Sequence, residues 1–243
     1  MIVAAHQPHY MPWLGYLDKL AKADLFVVMD DLQYETQNFQ NRQRIKLATG
    51  ATWLTVPLER GTQLDRICDK RIDNRGSERQ HWQRRTWLTL ENNYRRAPHW
   101  DRYADELRAI YAQTWVSLVE LDMKMLELAR RWLHIDTPVI RASKLGLTGQ
   151  KTERIIDLCK KTDARCYLSG GGGSTDYLDV ERIGRAGIGL IWQQFEHPRH
   201  AQRYAEAGFV SHLSFLDLVL NCGAASRDIL FERTHPTALR RAA

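Results

Sequence analysis

The chain of 243 residues has a net charge of +6, with 44% hydrophobic and 26% charged residues. A chain of this length, residues 1–243, can form one domain with a full hydrophobic core, and it leaves room for a helical insertion. No apolar stretch approaches the ~20 residues that a membrane span needs, and no signal peptide follows Met1, so we expect a cytoplasmic protein with no membrane partner. The positive charge favours anionic ligands in general, such as nucleotides, nucleic acid or acidic sugars.

The four cysteines are scattered along the chain and form no C-x-x-C pair. This spacing supports neither a zinc ribbon nor a dithiol redox motif. His197 and His200 could chelate a metal from one helix face, but Pro198 lies between them and no third ligand is evident. We therefore discount a metal at that pair.

The first forty residues set the expected position of the functional site. Two short apolar runs, residues 2–5 and 25–29, flank an amphipathic segment that ends at Asp24. This pattern predicts a strand, a helix and a second, parallel strand. Ligands of parallel α/β folds bind where the strands end, so we expect the polar run 6–15 and the pair Asp30-Asp31 on the functional edge.

The middle of the chain is expected to form a hairpin followed by helices. Predicted strands cover residues 43–47 and 52–58, and predicted helices begin near residue 80 and cover residues 101–111 and 117–133. Pro98 marks the break between the first two helices. We interpret residues 80–135 as an all-helical insertion or subdomain.

Strands and helices alternate again in the last part of the chain. Predicted strands cover residues 138–141, 165–168 and 188–192, and predicted helices run through Cys159 and over residues 214–220. The alternation at both ends of the chain predicts an α/β fold, with a layered, mostly parallel sheet interrupted by the helical insertion.

Basic residues mixed with aromatic residues stand out in the first predicted helix of the insertion, at Trp82, Arg84, Arg85 and Trp87. This mixture is typical of nucleic-acid binding, in which bases stack and phosphates pair with arginines. It is equally typical of an amphipathic helix with tryptophans inward and arginines in water. No complete recognition motif accompanies the charge, which favours the amphipathic helix.

A run of four glycines, residues 170–173, directly follows the predicted strand 165–168 and Ser169. Glycines at a strand end let the backbone approach a ligand closely, and their N–H groups can form an anion-binding nest. A flexible surface loop is the structural alternative.

The strand ends together predict a site for an anionic ligand that forms many hydrogen bonds. The candidate catalytic residues are His6, Gln7, His9, Asp30 and Lys46. The candidate substrate- or nucleotide-binding residues are Tyr10, Trp13, Asp31, Gln33, Tyr34, Asn41, Arg42, Ser169, Gly170, Gly171, Gly172, Gly173 and Tyr177. His6 and His9 could stabilise charge on a phosphate. Asp30 or Asp31 could hold Mg²⁺ or a ribose, and only one of the two would, since adjacent side chains on a strand point to opposite faces.

These motifs resemble the WbqC-like family over almost the whole chain. They are His6-Gln7-Pro8, Pro12 to Tyr16, Ala23-Asp24, Asp30-Asp31, Gln33-Tyr34, Asn41-Arg42, Trp53 to Pro57, Tyr167 to Gly170, Tyr177-Leu178 and Ser214 to Asn221. The resemblance implies a place among polysaccharide and O-antigen biosynthesis proteins, whose sugars carry N-acyl or aminoacyl groups.

The opening of the chain is also similar to that of nucleotidyltransferase-like enzymes with an H-x-G-H motif. Pro8 stands at the glycine of that motif in one alignment, and Trp13 and Tyr16 stand at its histidines in the other. The similarity implies a nucleotidyltransferase-like or Rossmann-like sheet, and fold alone does not fix function.

Together these observations predict an enzyme that forms an amide on an amino group of a nucleotide-linked sugar, with ATP and Mg²⁺ as cofactors. His6 would stabilise phosphate charge, Asp30 would bind metal or ribose, and residues 169–173 would hold phosphate. Substrate would be held by Asn41, Arg42 and Lys46. The alternatives are a tRNA- or nucleic-acid-binding protein and a non-catalytic nucleotide-sugar-binding protein.

Overall fold

The central feature is a parallel sheet whose strands come from both ends of the chain. The computed structural model describes residues 1–62, 64–76, 81–172 and 178–231. The strands are β1 (Ile2–His6), β2 (Leu25–Val28), β3 (Arg42–Leu47), β4 (Gly50–Thr55), β5 (Val139–Arg141), β6 (Cys166–Ser169) and β7 (Gly189–Trp192). The helices are α1 (Leu14–Ala21), α2 (Trp82–Tyr94), α3 (Trp100–Tyr111), α4 (Leu118–Trp132), α5 (Lys151–Lys161), α6 (Val180–Arg185), α7 (Phe215–Cys222) and α8 (Ser226–Phe231).

Five strands form the main sheet in the order β5-β2-β1-β6-β7, and every pair is parallel. β3 and β4 form a separate antiparallel hairpin. The predicted layered α/β fold with a parallel sheet is confirmed, as is the helical region, which covers residues 82–132.

The alternation of side chains along the strands explains the layers of the fold. Ala4, Phe26 and Leu168 belong to one hydrophobic core, which also contains residues of α1, α4 and α7. Val3 and Val27, one position away, belong to a second core formed with α5 and α6. Because successive side chains of a strand point to opposite faces, both faces of the sheet are covered by helices.

The aromatic side chains of α2 face the protein interior. Trp82 and Tyr94 are buried, whereas Arg84 and Arg85 are exposed. Trp87 packs on Trp100 of α3 with ring centroids 5.5 Å apart. This arrangement is that of an amphipathic helix, and nucleic-acid binding by the exposed arginines stays a prediction.

The strand order reverses beside β1, and this reversal creates a crevice. From β1 the chain passes to β2 on one side, and it later returns from β5 to β6 on the other side. The β1–β2 pairing extends to His6, but the β1–β6 pairing ends at Ala4 and Leu168. The carboxyl ends of β1 and β6 therefore part at the switch point, where ligands of open α/β sheets bind.

Candidate functional site

A buried lysine occupies the crevice between β1 and β6. Lys19, in the last turn of α1, is 3% exposed, and its ammonium donates a hydrogen bond of 2.7 Å to the carbonyl of Ala5. Ala5 follows the last paired residue of the β1–β6 ladder. A side-chain carbon placed on Gly170 would lie 3.8 Å from Lys19 Nζ, so the ammonium also reaches the start of the glycine loop.

Two histidines and a tyrosine pack together beside this lysine. The rings of His6 and His9 lie 4.7 Å apart edge to face, and Tyr16 packs on both, with centroids 5.0 Å and 4.9 Å away. His9 and Tyr16 are buried, and His9 Nδ1 and the Tyr16 hydroxyl have no hydrogen-bond partner among the described residues. Buried polar atoms without partners are uncommon in native proteins and mark places where a ligand or water can bind.

Burial disfavours protonation of all three basic side chains, and the charge of Lys19 adds to this effect at both histidines. Burial lowers the pKa of Lys19 to about 7. Burial and, after it, the charge of Lys19 lower the pKa of His9 to about 3. Burial, His9 and Lys19 together hold the pKa of His6 well below its usual value. No carboxylate of the described residues forms an ion pair with any of the three.

We call His6, His9 and Lys19 the basic cluster. A group of basic side chains without a carboxylate partner is poised for an anion, since a bound negative charge would raise all three pKa values and favour the protonated forms. The arrangement is therefore suited to a phosphate or another compact anion at the switch point, and such an anion would bind together with protons.

An amide-rich rim borders the basic cluster. Gln7 donates to Glu35 at 3.1 Å and accepts from Gln40 at 2.9 Å, and Asn38 donates to Glu35 at 2.6 Å. Gln40, which is fully buried, also accepts from the backbone N–H of Glu35 at 3.1 Å. The rim fixes Gln7 and Glu35 relative to each other at the mouth of the site.

A series of stacked rings leads from the basic cluster to the hairpin surface. His9 stacks on Phe39 at 5.3 Å, and Phe39 packs on Trp53 at 5.7 Å. The guanidinium of Arg42 lies 4.3 Å from the ring centroid of Trp53 and donates to the carbonyl of Gln37. Arg42 thus lies at the outer end of this series, three contacts away from His9.

The two adjacent aspartates bind arginines within the chain. Asp30 is fully buried and accepts hydrogen bonds from Arg141 at 2.6 Å and from the backbone and hydroxyl of Ser143 at 2.9 Å and 2.7 Å. Asp31 pairs with Arg154 of α5. These bonds fix β5 and α5 to the end of β2, and a role of either aspartate toward metal or ribose stays a prediction.

The other predicted binding residues lie in several environments. The Tyr10 hydroxyl is 2.6 Å from that of Tyr111 in the core, and the Asn41 amide donates to the carbonyl of Val56 at 2.8 Å. Trp13 stacks on His212 at 5.1 Å. It also covers Gly15, where a side-chain carbon would lie 2.2 Å from the indole ring.

Ser169, Gly170, Gly171 and Gly172 continue from the end of β6. The Ser169 hydroxyl is buried and has no partner among the described residues. By strand alternation it points toward the face of α5 and α6, opposite His6. Gly173 and Tyr177 lie outside the described residues.

Gln33 and Tyr34 line a separate cleft of about 490 Å³ that also includes Glu35. The cleft adjoins the amide rim, because Glu35 belongs to both.

Lys46 is located in a second polar cluster. Its ammonium is almost fully buried and donates to Gln202 at 3.1 Å and to the carbonyl of Gly208. Gln202 and Tyr94 in turn donate to Asp217 at 2.6 Å and 2.9 Å. The contacts of Lys46 are therefore with the segment between β7 and α7, and its predicted catalytic role remains untested by the geometry.

Asp217 holds this second cluster together, and its loss should destabilise the fold. It also lies 2.9 Å from Nε2 of His200, which is almost fully buried. Replacing Asp217 by Asn puts a donor where three donors converge, so we expect the free energy of unfolding to fall by about 2–4 kcal/mol. Urea denaturation measures this, with the exposed Asp228→Asn as a control that should change stability by less than about 0.5 kcal/mol. An unchanged unfolding midpoint in Asp217→Asn would contradict this role.

Sequence reasoning missed Lys19, Tyr16 and Gln40 as site residues. All seven residues from Leu14 to Leu20 are buried, so α1 is covered on every side. A helical pattern shows which face is apolar, but it cannot show that a charged residue on the other face is also covered. The only available signal was the position of Lys19 inside the predicted βαβ unit.

The described residues contain no group of three or more His, Cys, Asp or Glu side chains that could hold a metal ion. Within the same part of the chain, no helix is both long and apolar enough to cross a membrane.

The fold and the basic cluster define a parallel α/β protein with a candidate anion site at the topological switch point. Residues 7–229 match the model of the WbqC-like protein family, and the chain belongs to that family. It is similar to "Uncharacterized protein Rv1507c" of Mycobacterium tuberculosis (strain ATCC 25618 / H37Rv), with 34% identity over 230 residues, 94% of this chain and 96% of the relative. No solved structure matches the chain with statistical significance. The predicted family is confirmed, and membership is consistent with a role related to polysaccharide biosynthesis.

Proposed function

We propose that the protein transfers an acyl or aminoacyl group to an amine of a nucleotide-linked sugar, using a carboxylic acid activated by a nucleotide such as ATP. The observation that carries this proposal is the basic cluster, in which the half-buried His6 and the buried His9 and Lys19 have no carboxylate partner among the described residues. A phosphate group supplies the negative charge that the cluster lacks. Family membership supports the link to sugar chemistry.

The cluster also suits the chemistry of amide formation. The acceptor nitrogen attacks the acyl carbon of an acyl phosphate or acyl adenylate, and the bond from that carbon to the phosphate oxygen breaks. The phosphate leaves with the electron pair, and the ammonium of Lys19 stabilises its charge. Burial and the neighbouring basic groups hold the pKa of His6 well below its usual value, so its neutral form is available to accept the proton of the amine while Lys19 carries the charge that faces the phosphate.

The described residues do not favour a resident Mg²⁺ at Asp30. Both carboxylate oxygens of Asp30 already accept hydrogen bonds from Arg141 and Ser143. A metal would have to displace the arginine to reach them, so we assign no step to Mg²⁺ at this position.

The test combines binding with product analysis. Purified protein is mixed with ATP, glycine or another carboxylic acid, and an amino-sugar nucleotide, and mass spectrometry looks for the amide together with AMP or ADP. We expect an amide whose formation is lost in His6→Ala. In thermal-shift screening, a nucleotide ligand at 100 times its Kd should stabilise the protein by about 2.7 kcal/mol.

The outcomes separate the proposed enzyme from its alternatives. A broad panel of acids and sugars that yields neither amide nor AMP nor ADP would rule out the ATP-dependent ligase. Nucleotide-sugar binding without turnover, preserved in His6→Ala, would instead indicate a non-catalytic binding protein. Retention of RNA that falls steeply as salt rises would indicate nucleic-acid binding through the arginines of α2.

A further inference from the structure

The cleft beside the amide rim is a preformed pocket, which we call the Tyr34 cleft. Its walls include Gln33, Tyr34, Glu35, Glu59, Thr62 and Lys70. A volume of about 490 Å³ lies within the range of small-molecule sites, roughly 300–1,000 Å³. The lining combines polar and charged side chains with the ring of Tyr34 and the side chain of Leu58, a mixture that can contact both the hydroxyl or amino groups and the apolar face of a sugar ring.

The positive charge in the cleft is already neutralised. Lys70 is 7% exposed, and its ammonium pairs with Asp65 at 3.1 Å and lies 5.0 Å from the ring centroid of Tyr34. Gly61 allows this pair to form, because a side-chain carbon there would lie 1.9 Å from the Asp65 carboxylate and 2.7 Å from Lys70 Nζ. An anionic ligand would therefore compete with Asp65 for Lys70.

The carboxylate of Glu35 is the group in the cleft that is left without a cation. It accepts hydrogen bonds from the neutral amides of Gln7 and Asn38, and none of the described residues forms an ion pair with it. Glu59, which also lines the cleft, lies 3.6 Å from Arg71. Each carboxylate oxygen of Glu35 has a further lone pair, so both can accept another hydrogen bond.

Glu35 also connects the cleft to the basic cluster. Its partner Gln7 follows His6 directly in the chain, and Gln40 fixes Gln7 from the other side at 2.9 Å. A group bound to Glu35 is thus held next to the place where the basic cluster would bind phosphate.

We propose that the Tyr34 cleft binds the amino-sugar part of the acceptor, and that the carboxylate of Glu35 binds and positions its amine. This inference rests on the proposed function, since it names the group that the activated acyl carbon would meet. An ammonium or amine donates a charge-assisted hydrogen bond to a carboxylate, and a hydroxyl donates a weaker one. The cleft should therefore prefer an amine over a hydroxyl at the same position of the sugar.

Two probes that differ at one atom test the preference by calorimetry. UDP-glucosamine has an amine where UDP-glucose has a hydroxyl. We expect the wild-type protein to bind UDP-glucosamine about tenfold more tightly. Glu35→Gln should reduce that ratio to about one, with the Kd for UDP-glucose unchanged. Glu35 is exposed, so the neutral variant should fold normally, and Glu181→Gln, at an exposed glutamate of α6 outside the cleft, is the matched control that should keep the ratio.

Two different outcomes would contradict the proposed role of the Tyr34 cleft, and they can be distinguished. A tenfold preference that persists in Glu35→Gln overturns the role of Glu35, and equal binding of the two probes by the wild type overturns the amine preference of the cleft. In either case, weaker binding of both probes by Lys19→Met would leave the proposed nucleotide-sugar function in place. If neither probe binds the wild type, the inference and the nucleotide-sugar function both fail.

Discussion

Lys19→Met is expected to weaken nucleotide binding strongly while leaving the protein folded. The ammonium of Lys19 is buried at the β1–β6 crevice and is bonded only to a backbone carbonyl among the described residues. Removing a buried charge that pairs with a phosphate typically costs 2–5 kcal/mol of binding free energy, so the Kd should rise by at least about thirtyfold. Titration calorimetry with ATP and with UDP-glucosamine measures the loss, and Lys160→Met, an exposed lysine on α5, is the matched control.

The same variant should change how stability depends on pH. The pKa of Lys19 is about 7 in the folded protein and 10.5 in the unfolded chain, so the unfolded chain binds more protons between these values. The stability of the wild type therefore rises with pH across this window, by about 1.4 kcal/mol per pH unit from this group. Lys19→Met lacks this contribution, so its stability relative to the wild type should fall as pH rises from 7 to 10.

Urea denaturation of the wild type and of Lys19→Met at several pH values measures the contribution of Lys19 alone. Every other titrating group is present in both proteins, so its contribution cancels in the difference. The free energy of unfolding of the Lys160→Met control should depend on pH in the same way as that of the wild type. A constant difference between Lys19→Met and the wild type from pH 7 to 10 would show that Lys19 keeps an ordinary pKa, and the basic cluster would then lose its central group.

The sheet could be predicted from the sequence because its signals are local. The short apolar runs at residues 2–5 and 25–29 mark strands that are buried on both faces. The helix predicted over residues 214–220 forms as α7, and the hydroxyl of Ser214 at its N-terminus accepts from Leu216 N. In contrast, α6 and α8 were not predicted. Each has only six residues, too few to show a helical period.

The composition of the site depended on packing that a single sequence does not display. The basic cluster exists because the β1–β6 ladder ends at Ala4 and because α1 is covered on all sides. Lys46 was expected to reach the strand ends, but its hairpin is separate from the main sheet. The segment between β7 and α7, which binds Lys46, has no periodic pattern from which its position could be predicted.

Asp122→Asn is expected to stabilise the protein at neutral pH. Asp122 on α4 is 2% exposed, and neither carboxylate oxygen has a hydrogen-bond partner among the described residues. Burial raises the pKa of Asp122 well above its usual value. Its neighbour Tyr16, whose pKa is raised by burial and by this carboxyl, forms the aromatic wall of the basic cluster. The buried acid therefore lies behind the candidate site.

The sign of the effect follows from proton binding. Above pH ~4 the unfolded chain releases the Asp122 proton while the folded protein keeps it, so this group lowers stability as pH rises, by about 1.4 kcal/mol per pH unit until the folded carboxyl ionises. Asparagine has a similar shape and does not ionise, so the stability gain should vanish near pH 4 and grow as the pH rises above it. The exposed Asp105→Asn should show no such trend. If Asp122→Asn is less stable than the wild type at pH 8, the carboxylate is ionised and paired, and a cation must share this part of the site.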